Sequence, residues 1–364
     1  MSDVDRLGRP EIAGIITYSP GKTAEIKLAS NENPHGPSPQ ALAAMEEAIR
    51  QTRLYPDPAC TELRAALAED LGVPAEWIVV GRGSDEVIHM AALAFLCPGD
   101  EVIFAVPPFA LYPFSAMLMG CRQVTVLMRD YCHDLPAMAG AITPRTKMIF
   151  IANPYNPTST IVRADEVERF MARVPDHVVV VFDEAYSEYV ADPGYPQTLD
   201  YVRAGRNVVV LRTFSKIYAL AGLRVGYGIA RPEIVKWLLK VQEPFNVSNV
   251  AQAAALGSLR DKEQQVRQSA DLNRQCLGYL CGEFDRLGLT YAEPHANFVF
   301  VDTRMDSVEL FRKLRAPGFA VRTGDIFGTP THIRVSTGTL EQCRQFIAVL
   351  EPILVEAGLL AGGA

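Results

Sequence analysis

The 364-residue chain has no apolar run approaching the roughly 20 residues that a membrane-spanning helix needs. Its opening, MSDVDRLGRP, is polar and lacks the apolar core of a secretory leader, so the sequence predicts no signal peptide. It has no basic block either. The formal charge of −7 is spread along the chain, which argues against nucleic acid as a partner. No C-x-x-C occurs, and the cysteines (Cys60, Cys97, Cys121, Cys132, Cys276, Cys281 and Cys343) are odd in number. A disulfide framework and a metal site are therefore not expected, and free thiols in a reducing cytoplasm are. Internal repeats and low-complexity tracts are also missing. What is present is ordinary globular composition, 49% hydrophobic and 21% charged, in a chain long enough for one large domain and a smaller one.

Residues 1–37 read as an irregular arm rich in Pro, Gly and Asn, with a short apolar stretch at Glu25–Ala29. An arm of this kind needs another surface to order it. Helical patterns follow at Ser38–Arg53 and at Thr61–Leu71, the second stopped by Gly72. Strands and helices then alternate. Strands are predicted at Trp77–Val80, Glu101–Ala105, Arg122–Leu127, Met148–Ala152, Val178–Phe182 and Val208–Leu211, and helices at Asp85–Leu96, Ala110–Met119 and Ala164–Arg173. Continuous apolar runs bounded by polar residues suit strands buried on both faces of a mostly parallel sheet, so the fold class is α/β with helices on both faces. Past a long helical stretch at Glu263–Leu287 the pattern changes. Strands at Asn297–Val301, Phe319–Arg322 and His332–Val335, with helices at Ser307–Leu314 and Leu340–Glu356, read as a smaller α+β domain. The expected division is a large domain over residues 38–260 and a small one over 261–364.

In such sheets ligands bind outside the carboxyl ends of the strands. Those ends carry Gly81-Arg-Gly83-Ser84, Asn153-Pro-Tyr-Asn156, Asp183-Glu-Ala-Tyr186 and Thr213-Phe-Ser215-Lys216. The turn at Gly83, Ser84 and Asp85 opens a helix, whose free N–H groups suit a phosphate; an ordinary capped helix would look the same. A dinucleotide fingerprint fails there, because its third glycine would fall on Glu86. Asp183, at the end of an apolar strand, needs a partner: a metal, an arginine or a protonated ring nitrogen, unless it caps the next turn. Lys216 follows a polar turn near Arg224. It reads either as a desolvated nucleophile or as a solvated surface lysine.

Seven short motifs share one order and spacing: Tyr18-Ser-Pro-Gly-Lys, Ser30-Asn-Glu-Asn33-Pro, Leu54-Tyr55-Pro-Asp-Pro, Asn153-Pro-Tyr-Asn156-Pro-Thr, Asp183-Glu-Ala-Tyr186, Ser215-Lys216 with Ala221-Gly-Leu-Arg224, and Ile333-Arg334-Val-Ser-Thr-Gly-Thr. Over residues 11–350 the chain resembles the fold-type-I aminotransferases dependent on pyridoxal 5'-phosphate, and among them the histidinol-phosphate aminotransferase family. The resemblance implies a seven-stranded, mostly parallel sheet in the large domain, flanked by helices, and an arm packed on the small domain and on a partner subunit. It implies a homodimer with shared active sites and amino transfer between L-histidinol phosphate and 2-oxoglutarate in histidine biosynthesis. Aromatic amino-acid aminotransferases and threonine-phosphate decarboxylases share the scaffold and stay open as alternatives. So do a dinucleotide oxidoreductase, weakened at Glu86, and a regulator that binds the cofactor without catalysis.

By the same resemblance Lys216 carries the cofactor as a Schiff base and Asp183 pairs with the pyridine nitrogen. Asn156 and Tyr186 bond the ring oxygen, and Phe109 stacks on the ring. Gly83, Ser84, Asp85, Ser215 and Arg224, with Tyr55 of the other subunit, hold the phosphate. Arg322 and Arg334 bind the anionic end of the substrate, beside Tyr18, Asn33 and Asn297. Two positions depart from the family pattern. Phe109 stands where relatives often have tyrosine, and Ser159 stands where the N-P-T-G motif has glycine. Neither removes a cofactor ligand.

Overall fold

The computed structural model describes residues 7–12, 15 and 24–360. Tyr18 lies outside the described residues. The larger sheet holds seven strands: β2 (Ile78–Gly81), β3 (Glu101–Val106), β4 (Arg122–Leu127), β5 (Thr146–Ala152), β6 (Val179–Asp183), β7 (Val208–Thr213) and β8 (Gly226–Ala230), in the order β2-β8-β7-β6-β5-β3-β4. The central strands pair in parallel, and β8 runs antiparallel to both of its neighbours. The apolar runs became strands for the reason expected of them. Every residue of β6 is buried, so the strand has no polar face and alternation is absent. Its last residue, Asp183, is therefore delivered to the edge of the sheet as a carboxylate in an apolar setting.

Strand β8 was not anticipated. Glycine is disfavoured in strands, and Gly226-Tyr-Gly228 reads as a loop. Close approach is what the glycines allow. A Cβ on Gly228 would stand 2.7 Å from Val87 Cγ1, and one on Gly226 would fall on the amide nitrogen of Ser84. The helix that begins at Gly83 is thus seated directly on the sheet. The helices α5 (Leu135–Gly140), α7 (Leu199–Arg203), α8 (Pro232–Val241) and α9 (Asn249–Arg260) were also unassigned from sequence. Helix α9 opens at Ser248, whose hydroxyl accepts from the Ala251 amide at 3.2 Å.

The remaining helices fall close to expectation. They are α1 (Pro39–Ile49), α2 (Thr61–Leu71), α3 (Gly83–Phe95), α4 (Leu111–Leu118), α6 (Ala164–Met171), α10 (Lys262–Arg286), α11 (Ser307–Arg315) and α12 (Leu340–Glu356). Helix α1 is capped by Ser38 as its sequence suggests but stops at Ile49, short of Arg53. Helix α2 ends on Gly72 at φ 62°, the left-handed conformation glycine adopts without strain.

The second sheet has five strands. These are β1 (Ile26–Leu28), β9 (Thr290–Tyr291), β10 (Phe298–Asp302), β11 (Phe319–Thr323) and β12 (His332–Ser336), in the order β1-β11-β12-β10-β9. The apolar stretch of the N-terminal arm is the edge strand β1, parallel to β11. Two large apolar cores result among the described residues. One surrounds the seven-stranded sheet; the other joins Leu28, Leu280, Phe284, Phe319, Ile333 and Phe346. Helix α10 crosses between them: Val266 and Ala270 pack on the first, and Cys276, Leu280 and Phe284 lie in the second.

Candidate active site

The carboxyl ends of β2, β5, β6 and β7 share one edge of the larger sheet and bring the sequence-predicted residues together. Asp183 is the deepest of them. Its Oδ2 accepts the hydroxyl of Tyr112 at 2.8 Å, and its Oδ1 accepts the Ala185 amide at 3.3 Å. Burial pushes the Asp183 carboxyl up to about 6. The Tyr112 hydrogen bond and the charge of Lys216 pull it back, and the charge of Asp85 adds to the rise. Tyr112 is itself buried and stacks on Phe150, with centroids 4.5 Å apart and planes 7° off parallel. Sequence reasoning missed Tyr112, because 71 residues separate it from Asp183.

Beside Asp183 the chain forms a basic cradle at the N-terminus of α3. Gly83 has φ 74°, and a Cβ there would meet Arg224 Nη2 at 2.7 Å. Arg224, itself left-handed at φ 53°, donates through Nη1 to Ser215 Oγ at 3.3 Å and through Nη2 to Asp85 Oδ2 at 3.0 Å. Ser84 and Ser215 are buried at its floor. Helix N–H groups, two hydroxyls and a guanidinium aimed at one place make an anion site. Asp85 also holds the Arg224 side chain in place, beyond the backbone contact expected of it.

Lys216 Nζ lies 3.3 Å from the Ser30 carbonyl oxygen, which accepts from it, and 5.4 Å from the centre of the Tyr186 ring. The Tyr186 hydroxyl accepts from Asn31 Nδ2 at 2.9 Å. Asn31 has φ 57°, a conformation asparagine tolerates, and Ser336 Oγ donates to its Oδ1 at 2.7 Å. Phe109 is half-buried, edge-on to Tyr112 at 5.6 Å.

On the opposite wall Arg322 and Arg334 face each other across β11 and β12. Arg334 is buried. Its Nη1 donates to Asn156 Oδ1 at 2.5 Å and its Nη2 to the Ala29 carbonyl at 2.7 Å, while its Nε has no partner among the described residues. Burial, with Arg322 alongside, lowers the Arg334 guanidinium to about 10, although Tyr186 raises it. Neither arginine has a carboxylate within ion-pair distance among the described residues.

Other expected residues are placed differently. Asn33 Nδ2 donates to the Ile217 carbonyl at 2.8 Å and to Ser269 Oγ at 3.0 Å, tying the arm to the turn after Lys216 and to α10. Asn297 Nδ2 donates to the Asn31 carbonyl at 3.0 Å. Each Nδ2 is thus bonded within the chain, while Asn297 Oδ1 is buried with no hydrogen-bond partner among the described residues. Tyr55 is 82% exposed and stacks on Phe245 at 4.6 Å. Sequence reasoning also missed Glu184, directly after Asp183. It is buried and accepts from Arg212 Nε at 3.1 Å and Nη2 at 2.9 Å, and from the Thr198 hydroxyl. Among the described residues no group of histidine, cysteine or acidic side chains could hold a metal ion, and no helix is long and apolar enough to cross a membrane.

Residues 23–350 match the family model for aminotransferase class I and II. The chain belongs to that family. A histidinol-phosphate aminotransferase of Moorella thermoacetica is 51% identical over 95% of this chain and 92% of that protein. One of Caldicellulosiruptor saccharolyticus is 43% identical over 95% and 99%. Among solved structures of similar proteins, histidinol-phosphate aminotransferase from Sinorhizobium meliloti, in complex with pyridoxal-5'-phosphate, superimposes with a TM-score of 0.89 at 26% identity, covering 96% of this chain and 97% of that one. Thermus thermophilus aspartate aminotransferase with maleate gives 0.82 at 26% identity, covering 92% of each chain. An aminotransferase fold-type-I architecture accounts for the seven-stranded sheet and for the placement of Asp183 and Lys216 at its edge.

Proposed function

We propose that this aminotransferase uses pyridoxal 5'-phosphate to move an amino group between L-histidinol phosphate and 2-oxoglutarate. The residues fit the cofactor. A buried carboxylate, Asp183, has no cation bonded to it among the described residues and suits a protonated ring nitrogen. The cradle of Ser84, Ser215, Arg224 and the α3 N-terminus suits a phosphate. Lys216 suits the carbonyl end, Asn156 and Tyr186 the ring oxygen, and Phe109 the ring face. When bound, the cofactor supplies a carbonyl carbon that takes up the amino group and a ring that accepts the electrons released at the substrate carbon.

The chain's own residues do the rest. Asp183 keeps a proton on the ring nitrogen, because a buried carboxylate favours a cationic neighbour. Lys216 Nζ is the base that takes up and returns the proton at the substrate carbon. Arg224 and the α3 N-terminus fix the phosphate, and so orient the ring. The observation that carries the substrate class is the pair Arg322 and Arg334, close together without a carboxylate. A buried guanidinium is costly unless an anion joins it, and two suit a doubly charged phosphate ester better than one carboxylate.

The same reading divides the chain into an arm (1–37), a large domain (38–260) and a small domain (261–364). It also makes the enzyme a homodimer in which Tyr55, exposed beside Phe245, reaches the phosphate of the other subunit. It places the protein in the cytoplasm, and the seven free cysteines suit a reducing compartment. The test is a turnover screen of histidinol phosphate, phenylalanine, tyrosine and threonine phosphate, with wild type and Arg322→Ala. Histidinol phosphate should be preferred. The variant should lose about 10- to 100-fold in kcat/KM for it, the worth of a charge-assisted bond, and much less for phenylalanine. Equal losses would instead support an aromatic aminotransferase, and turnover of threonine phosphate alone would support the decarboxylase.

A further inference from the structure

The loop that leaves β5 carries Asn156 and closes on Ser159, where the Ser159 amide donates to the Tyr155 carbonyl at 2.6 Å and the Tyr155 amide to the Thr160 carbonyl at 2.7 Å. Ser159 is fully buried at φ 71°, a conformation that strains any residue with a Cβ and that glycine adopts freely. The serine hydroxyl does something a glycine cannot. Its Oγ accepts the Ala296 amide at 2.8 Å and the His295 amide at 3.1 Å; the His295 amide also reaches the Ser159 carbonyl at 2.9 Å. Ala296 is fully buried, and its amide has no other hydrogen-bond acceptor among the described residues. A buried amide left without an acceptor is costly, so the hydroxyl offsets the backbone strain.

The two ends of this contact belong to the two walls of the site. Three residues before Ser159, Asn156 Oδ1 sits on Arg334. Just after Ala296, Asn297 holds the Asn31 carbonyl, and Phe298 lies against both Tyr186 (5.2 Å) and the Arg334 guanidinium (5.3 Å). We propose that Ser159 is a positioning residue: its hydroxyl fastens the Asn156 loop to the backbone at 295–296 and so sets the Asn156–Arg334 pair in the geometry that receives the anionic substrate. The proposal deepens the aminotransfer reading and rests on it for the substrate.

Ser159→Gly and Ser159→Ala both remove the acceptor, but only the glycine relieves the strain. Three measurements separate the outcomes: thermal melting for Tm, steady-state kinetics for the KM and kcat of the amine that wild type uses best, and amide hydrogen exchange at Ala296 in protein with and without cofactor. Ser159→Gly should melt close to wild type and Ser159→Ala lower. Both should show faster exchange at Ala296 and a KM raised about three- to tenfold, the worth of one hydrogen bond, with kcat little changed. A purely structural serine would leave KM at the wild-type value in Ser159→Gly, and that result overturns the positioning role. If no amine is turned over by wild type, the aminotransfer reading fails on its own. The exchange comparison then decides the fastening, and equal rates at Ala296 in wild type and Ser159→Gly overturn it.

Discussion

Replacing Tyr112 by phenylalanine removes one oxygen from the site and leaves the rest of the residue in place. The ring remains stacked on Phe150, since stacking does not use the hydroxyl. What is lost is the O–H that donates to Asp183 Oδ2 at 2.8 Å. Donation to an ionised acceptor is worth about 1.5–3 kcal/mol, or about one to two pKa units. Burial already holds Asp183 at about 6, and the Tyr112 bond is the largest influence pulling it down. In Tyr112→Phe the carboxyl should therefore titrate above neutrality.

Because the folded-state value lies above the unfolded one, the folded chain holds the Asp183 proton more tightly. Stability of the cofactor-free protein is then lost as pH rises from the unfolded value towards about 6, and levels off above it. The whole effect is about 3 kcal/mol for a shift of about two units. In the variant the decline should run on to a pH about one to two units higher. Cofactor affinity should mirror it, since the ring nitrogen needs the ionised carboxylate. The pH at which affinity falls to half should move up by about one unit or more, as measured by titrating pyridoxal phosphate into cofactor-free protein between pH 5 and 9, a range spanning about two units either side of neutrality. Superimposable profiles for wild type and Tyr112→Phe, with Tm retained, would show that the hydroxyl does not set the Asp183 charge.

Asp183→Asn should lower the proton-transfer step by several powers of ten, each worth about 1.4 kcal/mol of barrier. It should also raise the Tm of the cofactor-free protein above pH 6, where wild type carries a buried charge, and not at pH 4; an unimpaired variant would remove the ring-nitrogen role. Tyr55→Ala and Lys216→Ala, each inactive alone, should regain partial activity when mixed and re-associated, because one site of each mixed dimer is intact. An active monomer in solution would refute the shared site.

Much of this molecule was legible in its residue order. The runs at Met148–Ala152, Val178–Phe182 and Val208–Leu211 are apolar at every position, and only a strand covered on both faces uses such a run. Local motifs then placed Gly83, Asn156, Asp183 and Lys216 at the carboxyl ends of those strands, because a short turn after a strand has few places to go. Strand β8 escaped because its glycines answer a demand made by α3, which lies far away in the chain.

Side-chain chemistry at the strand ends follows from local order, since the motif and the strand that presents it are covalently adjacent. Partnership between distant side chains does not. Tyr112 reaches Asp183 only because the fold stacks its ring on Phe150 of β5, beside the end of β6. Asn33 Nδ2 holds the arm against the turn after Lys216, and Asn297 Nδ2 holds it through the Asn31 carbonyl. Ser159 looks like a flaw in a glycine motif until the backbone at 295–296 is brought against it. Each of these choices is a competition among hydrogen-bond partners tens to hundreds of residues apart. Tertiary packing decides it, and no window of sequence contains both partners.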